Sequence, residues 1–190
     1  MIYEAVIVTR NADSTAHIAP LGFRWQAERV VLAPFRPSTT LDNLQRSRQA
    51  VVNLTDNVAV IAGCLTGRRD WAITPTHRVQ GWRLVDTLTH MELEIESVED
   101  NELRPRFFCS VLHQETHSGF KGFNRAQAAV IEAAILVSRL HLLPTNKIDN
   151  EIEYLKIALE KTAGERERLA WGWLMDRIES FRRKPKAEVL

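Results

Sequence analysis

His90-Met91-Glu92-Leu93-Glu94-Ile95-Glu96 is the stretch on which the architecture of this chain turns. Met91, Leu93 and Ile95 alternate with Glu92, Glu94 and Glu96, a period of two that gives an extended chain one dry face and one wet face. The three glutamates are therefore expected on a solvated face, where water relieves their mutual repulsion, rather than in a catalytic carboxylate pair. Asp100-Asn101-Glu102 then turns the chain. Phe107, Cys109 and Val111 repeat the rhythm, so the two segments should pair as an antiparallel hairpin.

Upstream the pattern stays extended. Tyr3 to Thr9 is rich in β-branched residues, Asn11 to Ser14 is a turn cluster, and His17 to Gly22 resumes a strand. Val30 to Ala33 is a short buried strand that runs into Pro34-Phe35-Arg36-Pro37, where two prolines forbid a continued helix or central strand. A short helix is expected from Leu41, with Thr39 as its N-cap and Asp42 answering it as a variant capping box. Ala50 to Thr55 is a further strand, while Ala59 to Trp71 lacks a clear period. Five or six strands are expected before residue 120.

Beyond Phe123 the period changes to that of helices. Asn124 can cap, Gln127 holds the reciprocal capping-box position, and Ala126 to Leu143 is apolar on nearly every side until Pro144, which predicts a helix buried almost all round. A second helix carries Ile148, Ile152, Leu155 and Leu159 on one stripe, with Gly164 beyond it. A third aligns Trp171, Leu174, Ile178 and Phe181, then passes into the basic tail Arg182-Arg183-Lys184-Pro185-Lys186, read as a solvated end. Strands first and helices afterwards, without βαβ alternation, predicts an α+β, mainly β fold: a small barrel with a helical layer.

Bulk properties narrow the function. Lys and Arg number 25 against 24 Asp and Glu in 190 residues, a balance too even to imply nucleic acid or a membrane surface as partner. Apolar runs stay well short of the ~20 residues that cross a bilayer, and the N-terminus has no signal-peptide pattern, so a soluble cytoplasmic protein is expected. Cys64 and Cys109 are far apart and each lies in an apolar stretch, which fits buried thiols better than a disulfide or a redox pair.

A place for an anion can be read at Arg36-Pro37-Ser38-Thr39-Thr40. Hydroxyls, a guanidinium and unsatisfied backbone amides at a helix start suit a phosphate, although a plain capped turn needs the same residue types.

Seven segments together carry a resemblance: IYEAVIVT (2–9), HIAPLG (17–22), PFRPSTTLDNL (34–44), AVVNLTDN (50–57), LTGRRDW (65–71), GFNRAQAAVIEAAILVSRL (122–140) and EIEYLKIALEKTAG (151–164). The chain resembles, over nearly its whole length, the family called domain of unknown function 447, found in archaea and in some bacteria, among them bacteria with methanopterin-linked one-carbon metabolism. That family lies within the FMN-binding split-barrel superfamily, with flavin reductases and pyridoxamine-phosphate oxidases.

The resemblance implies an FMN-binding split β-barrel over residues 1–123, a helical extension over 124–184 and a basic tail over 185–190. It also implies a homodimer with FMN at the interface, Arg36, Ser38, Thr39 and Thr40 around the phosphate, Ala19, Pro20, Leu21 and Gly22 along the isoalloxazine edge, and Asn53 and Thr55 nearby. Trp71 could stack on the flavin or be a packed rim residue. Asn124 could simply cap its helix, and Arg125 could reach phosphate or an acidic substrate group. The implied activity is that of a flavin-dependent oxidoreductase of the flavin reductase kind, with NAD(P)H or a small molecule as partner. The alternatives are a non-catalytic binder of FMN or a pterin-type cofactor serving tetrahydromethanopterin one-carbon metabolism, and a structural dimer with a decayed flavin site.

Other chemistries find little support. His113 and His117 span ~13 Å on an extended chain, beyond shared coordination of one ion, so no metal is expected. Ser38 lacks a GxSxG setting, and neither a GxGxxG nor a GxxxxGK[ST] loop occurs.

Overall fold

The computed structural model describes residues 1–183, and the tail from Lys184 lies outside them. Two compact units emerge, one built from residues 1–56 and 70–120, the other from 57–69 and 121 onward.

The first unit is a seven-stranded antiparallel sheet. Its strands are β1 (Val6–Arg10), β2 (Ala16–Pro20), β3 (Phe23–Gln26), β4 (Arg29–Leu32), β5 (Gln49–Leu54), β8 (Thr89–Glu99) and β9 (Arg106–Thr116). Their order is β2-β1-β5-β8-β9-β4-β3. A separate two-stranded ribbon joins β6 (Ile73–Pro75) to β7 (Trp82–Leu84). The nine strands exceed the expected five or six because β3, β6 and β7 are three or four residues long, too short to establish a period.

One face of the sheet forms the apolar core. Ile7, Val30, Leu32, Ala50, Val52, Met91, Leu93, Ile95, Phe107 and Cys109 come together there with Leu41 and Leu44 of helix α1 (Thr39–Ser47). The alternation at 90–96 is thus present, and β8 pairs with β9 as a hairpin. Glu94 and Glu96 are exposed as expected. Glu92 corrects that expectation: it is completely buried, as is His90.

The cause is the ribbon. The ribbon and its connecting turn offer backbone N–H groups to side chains that point off the sheet's second face: Leu84 N–H of β7 donates to Asn53 (2.8 Å), Gln80 N–H of the turn to Gln49 (3.0 Å), and the amides of His77, Arg78 and Val79 to the Glu92 carboxylate. A buried amide must find an acceptor, and Glu92 supplies one for three of them.

The N-cap of α1 is corrected by one residue, and the helix begins at Thr39 rather than Leu41. Ser38, not Thr39, is the N-cap, with extended backbone angles and its Oγ accepting from Leu41 N–H at 3.2 Å. Asp42 consequently sits one position too late to close a capping box.

The second unit packs α2 (Val58–Leu65), α3 (Arg125–Ser138), α4 (Thr145–Thr162) and α5 (Glu165–Arg183). Segment α2 showed no period because six of its eight residues are buried. In α3 the cap at Asn124 is as expected, its side chain accepting from the amides of Ala126 (2.8 Å) and Gln127 (3.3 Å). Gln127 does not complete the box, since its amide donates to Glu167. Nor is α3 buried all round: Ala126, Ala129, Val130, Ala133, Ala134 and Val137 form one buried stripe, whereas Ala128 and Glu132 are exposed. Arg182 and Arg183 are helical and paired with Asp149 and Glu179 respectively, so they belong to α5 rather than to a tail. Residues 184–190 of the expected tail fall outside the described residues.

Candidate functional site

The residues expected around a phosphate lie on one loop and one helix start. Arg36 is exposed and its guanidinium reaches Asp100 at 3.1 Å, while its backbone N–H donates to Leu103. The hydroxyl of Ser38 is committed to the helix cap. Thr39 is exposed, and Thr40 is buried with its Oγ1 3.2 Å from His17 Nε2. Because Ser38 takes the amide of Leu41, the N–H groups of Thr39 and Thr40 remain directed out of the first turn, together with the positive end of the helix dipole.

Ala19 and Pro20 end β2, an edge strand, and Leu21 and Gly22 follow; all four are half-buried. Asn53 is fully buried, and its side-chain amide is used within the sheet, donating to Val6 O at 3.2 Å while accepting from Leu84. Thr55 donates to Asp86 O at 3.1 Å. Trp71 is half-buried just before β6. Asn124 and Arg125 belong to the helical unit, Asn124 as the α3 cap and Arg125 as its exposed first residue.

A second constellation has no counterpart among those residues. Four of the chain's six histidines, His77, His90, His113 and His117, gather with Glu92 and Glu115 on the second face of the sheet. A β-bulge assembles them. In the pairing of β8 with β9, Leu93 faces Val111 and Glu92 faces His113, so Leu112 is an extra residue. A one-residue slip reverses which face later side chains occupy. Phe107, Cys109 and Val111 therefore point into the core, whereas His113, Glu115 and His117 point to the face that carries His90 and Glu92.

Hydrogen bonds order the cluster. Glu92 accepts from the amides of His77 (2.8 Å), Arg78 (2.5 Å) and Val79 (2.9 Å), and lies 3.2 Å from His90 Nε2. Burial alone would raise the Glu92 carboxyl, but these donors outweigh it and hold its pKa below the usual carboxylate range. Burial also lowers the pKa of His90, against the opposing pull of Glu92, and thus favours the neutral ring. The network then assigns the hydrogen to His90 Nε2, which donates to Glu92, and leaves Nδ1 to accept from His117 Nε2 at 2.9 Å. The two rings stack, 5.1 Å apart and 16° from parallel.

Sequence reasoning weighed His113 and His117 alone, as two rings far apart on one extended strand; in the structure both flank the carboxylate of Glu115. It missed His77 and His90. A signal was present: His90-x-Glu92 and His113-x-Glu115-x-His117 place titratable residues at every second position of two paired strands.

No curated protein matches the chain significantly. Solved structures do. The FMN-bound protein MM1853 from Methanosarcina mazei superposes with a TM-score of 0.80 at 16% identity, over 93% of this chain and 94% of that one. The 2-nitrobenzoate 2-nitroreductase NbaA of Pseudomonas fluorescens superposes with a TM-score of 0.53 at 20% identity, over 60% and 64%. An FMN-binding protein of Thermus thermophilus superposes with 0.52 at 13% identity, over 60% and 69%. The fold is accordingly that of the flavin-binding split barrels, mainly β with five helices. In sequence, the N-terminal domain of the protein of unknown function DUF447 matches residues 3–118, and the C-terminal DUF447 segment matches residues 124–176. With both parts matched in order, the chain belongs to the DUF447 family.

Proposed function

We propose that this protein is an FMN-binding flavoprotein, a flavin-dependent oxidoreductase of the flavin reductase kind, acting in the cytoplasm as a homodimer with the flavin at the subunit interface. The observation that carries the reading is the start of α1, set in a fold shared along almost the whole chain with a protein described as FMN-bound.

The residues fit a phosphate monoester. Outward N–H groups at Thr39 and Thr40, the exposed Thr39 hydroxyl and the Arg36 guanidinium are donors of the kind a dianion requires. Arg36 would exchange Asp100 for phosphate oxygens, which bind a guanidinium as a bidentate pair. Ser38 contributes indirectly by holding the first turn open. Asn53, its side chain used by Val6 of β1 and Leu84 of the ribbon, acts as a fastener between strands rather than as a flavin contact. Bound FMN would supply the hydride or electron chemistry, and the polypeptide binding, orientation and electrostatics.

Purified protein should be yellow and release FMN on denaturation. Changing Arg36→Ala and Thr39→Ala together should weaken FMN by about 3 kcal/mol or more, roughly two orders of magnitude, because each hydrogen bond to a charged group contributes ~1.5–3. Unchanged affinity in a flavin-fluorescence titration would move the phosphate elsewhere. Stopped-flow mixing with NADH and NADPH tests the redox half, and reduction by neither would remove nicotinamide as the electron donor.

A further inference from the structure

The flavin reading leaves the histidine cluster unused. Its central group is Glu115, more exposed than the side chains around it on the sheet. The Glu115 carboxylate stands 3.7 Å from His113 Nε2, 3.9 Å from His77 Nε2 and 3.9 Å from His117 Nδ1. All three separations exceed a hydrogen bond. They approach the spacing of ligands around one ion, since tetrahedral bonds of ~2.0–2.1 Å set ligand atoms about 3.3–3.4 Å apart.

His113 points the same way. Its Nε2 is buried and has no hydrogen-bond partner, an unusual state for a polar atom. One ligand atom each from His77, His113 and Glu115 lies within 4.8 Å of the others. The two gaps to Glu115 exceed that spacing by a few tenths of an ångström and the gap between the two rings by at most about 1.5 Å, which His77 and Glu115, with side chains 66% and 46% exposed, can close.

We propose that His77, His113 and Glu115 bind a single divalent transition-metal ion of the zinc class. Two imidazoles and one carboxylate favour Zn2+, Co2+ or Fe2+ over Mg2+ and Ca2+, which prefer an all-oxygen shell. The donor set fills three positions and leaves others open, the arrangement of a site that can accept water or a substrate atom. Glu92 and His90 are positioning residues: Glu92 holds the backbone of His77 through its amide, and the His90 ring lies 5.6 Å from that of His113.

The test uses the full-length flavoprotein without an affinity tag, treated with chelator and titrated with ZnCl2 by calorimetry. CoCl2 is followed in parallel by its ligand-field absorption beyond the flavin bands. One equivalent should bind, excess MgCl2 should not displace it, and His77→Ala, His113→Ala and Glu115→Gln should each weaken it at least about 100-fold. His141→Ala, in the helical unit, should bind as wild type. Absence of saturable uptake would overturn the proposal, as would uptake that survives both His77→Ala and Glu115→Gln. Loss confined to His117→Ala would move the ion to the neighbouring group and overturn the ligand assignment. His77 and Glu115 are exposed, so their variants remain informative even if His113→Ala fails to fold. FMN content and reducibility are measured on the same samples, which separates failure of this site from failure of the flavin reading.

Discussion

Replacing Glu92 by glutamine probes the joint between the sheet and its covering ribbon. In the native protein Oε1 accepts from His77 N–H and contacts His90, while Oε2 accepts from the amides of Arg78 and Val79. Glutamine puts an NH2 group where one oxygen stood. With that group at the Oε1 position it faces the amide of His77, a donor against a donor at about 1–3 kcal/mol, while the His90 ring moves its hydrogen to Nδ1, where His117 Nε2 accepts it, and takes the new NH2 at Nε2. The bonds from Arg78 and Val79 survive but lose the help of a full charge, roughly 1 kcal/mol each. The sum is about 3–5 kcal/mol, or a fall in Tm of roughly 6–20 °C for a chain of this size. Urea unfolding followed by tryptophan fluorescence should show the midpoint falling at constant m. Glu94→Gln, on an exposed side chain of the same strand, should stay within about 0.5 kcal/mol of wild type. A loss below about 1 kcal/mol in Glu92→Gln would refute the claim that its carboxylate anchors residues 77–79.

Two further outcomes follow from local geometry. Ser38→Ala should destabilise the protein by about 1 kcal/mol through loss of the α1 cap, whereas Ser38→Asp should restore most of it; equal stability of all three by chemical denaturation would return the cap to another residue. Burial pushes the Cys109 thiol up to about 12, so at pH 8 it carries almost no thiolate and should not react with Ellman's reagent until the chain unfolds, while half-buried Cys64 reacts earlier; two equal fast phases in native protein would contradict the described core.

Much of the architecture was legible because it rests on local periodicity. The alternation at 90–96, the rhythm at 107–111, the turn at Asn11 to Ser14 and the helical stripes after Asn124 each show in a window of ten or so residues. Short elements escaped: β3, β6 and β7 span too few residues for a pattern, and α2 is apolar throughout because it is buried on most sides. At the candidate phosphate site the residue types were readable, but the cap shifted by one position. Ser38 and Thr39 are both competent capping residues, and tertiary packing of Leu41 and Leu44 sets where the first turn begins.

From the sequence alone came the mainly extended first half and the helical second half, the dry face of the central hairpin, and the family resemblance with its flavin expectation, since all of these rest on neighbouring residues or recognisable motifs. Tertiary structure alone decided what happens on the opposite face. There a bulge at Leu112 turns His113, Glu115 and His117 toward His90 and Glu92, and a ribbon turn 13 to 15 residues before Glu92 folds back to lay its amides over the carboxylate. The strand pattern of Glu92, Glu94 and Glu96 is identical in the sequence; only the partner that covers one of them, and the register that brings histidines beside it, makes that glutamate a buried anchor and leaves the others in water.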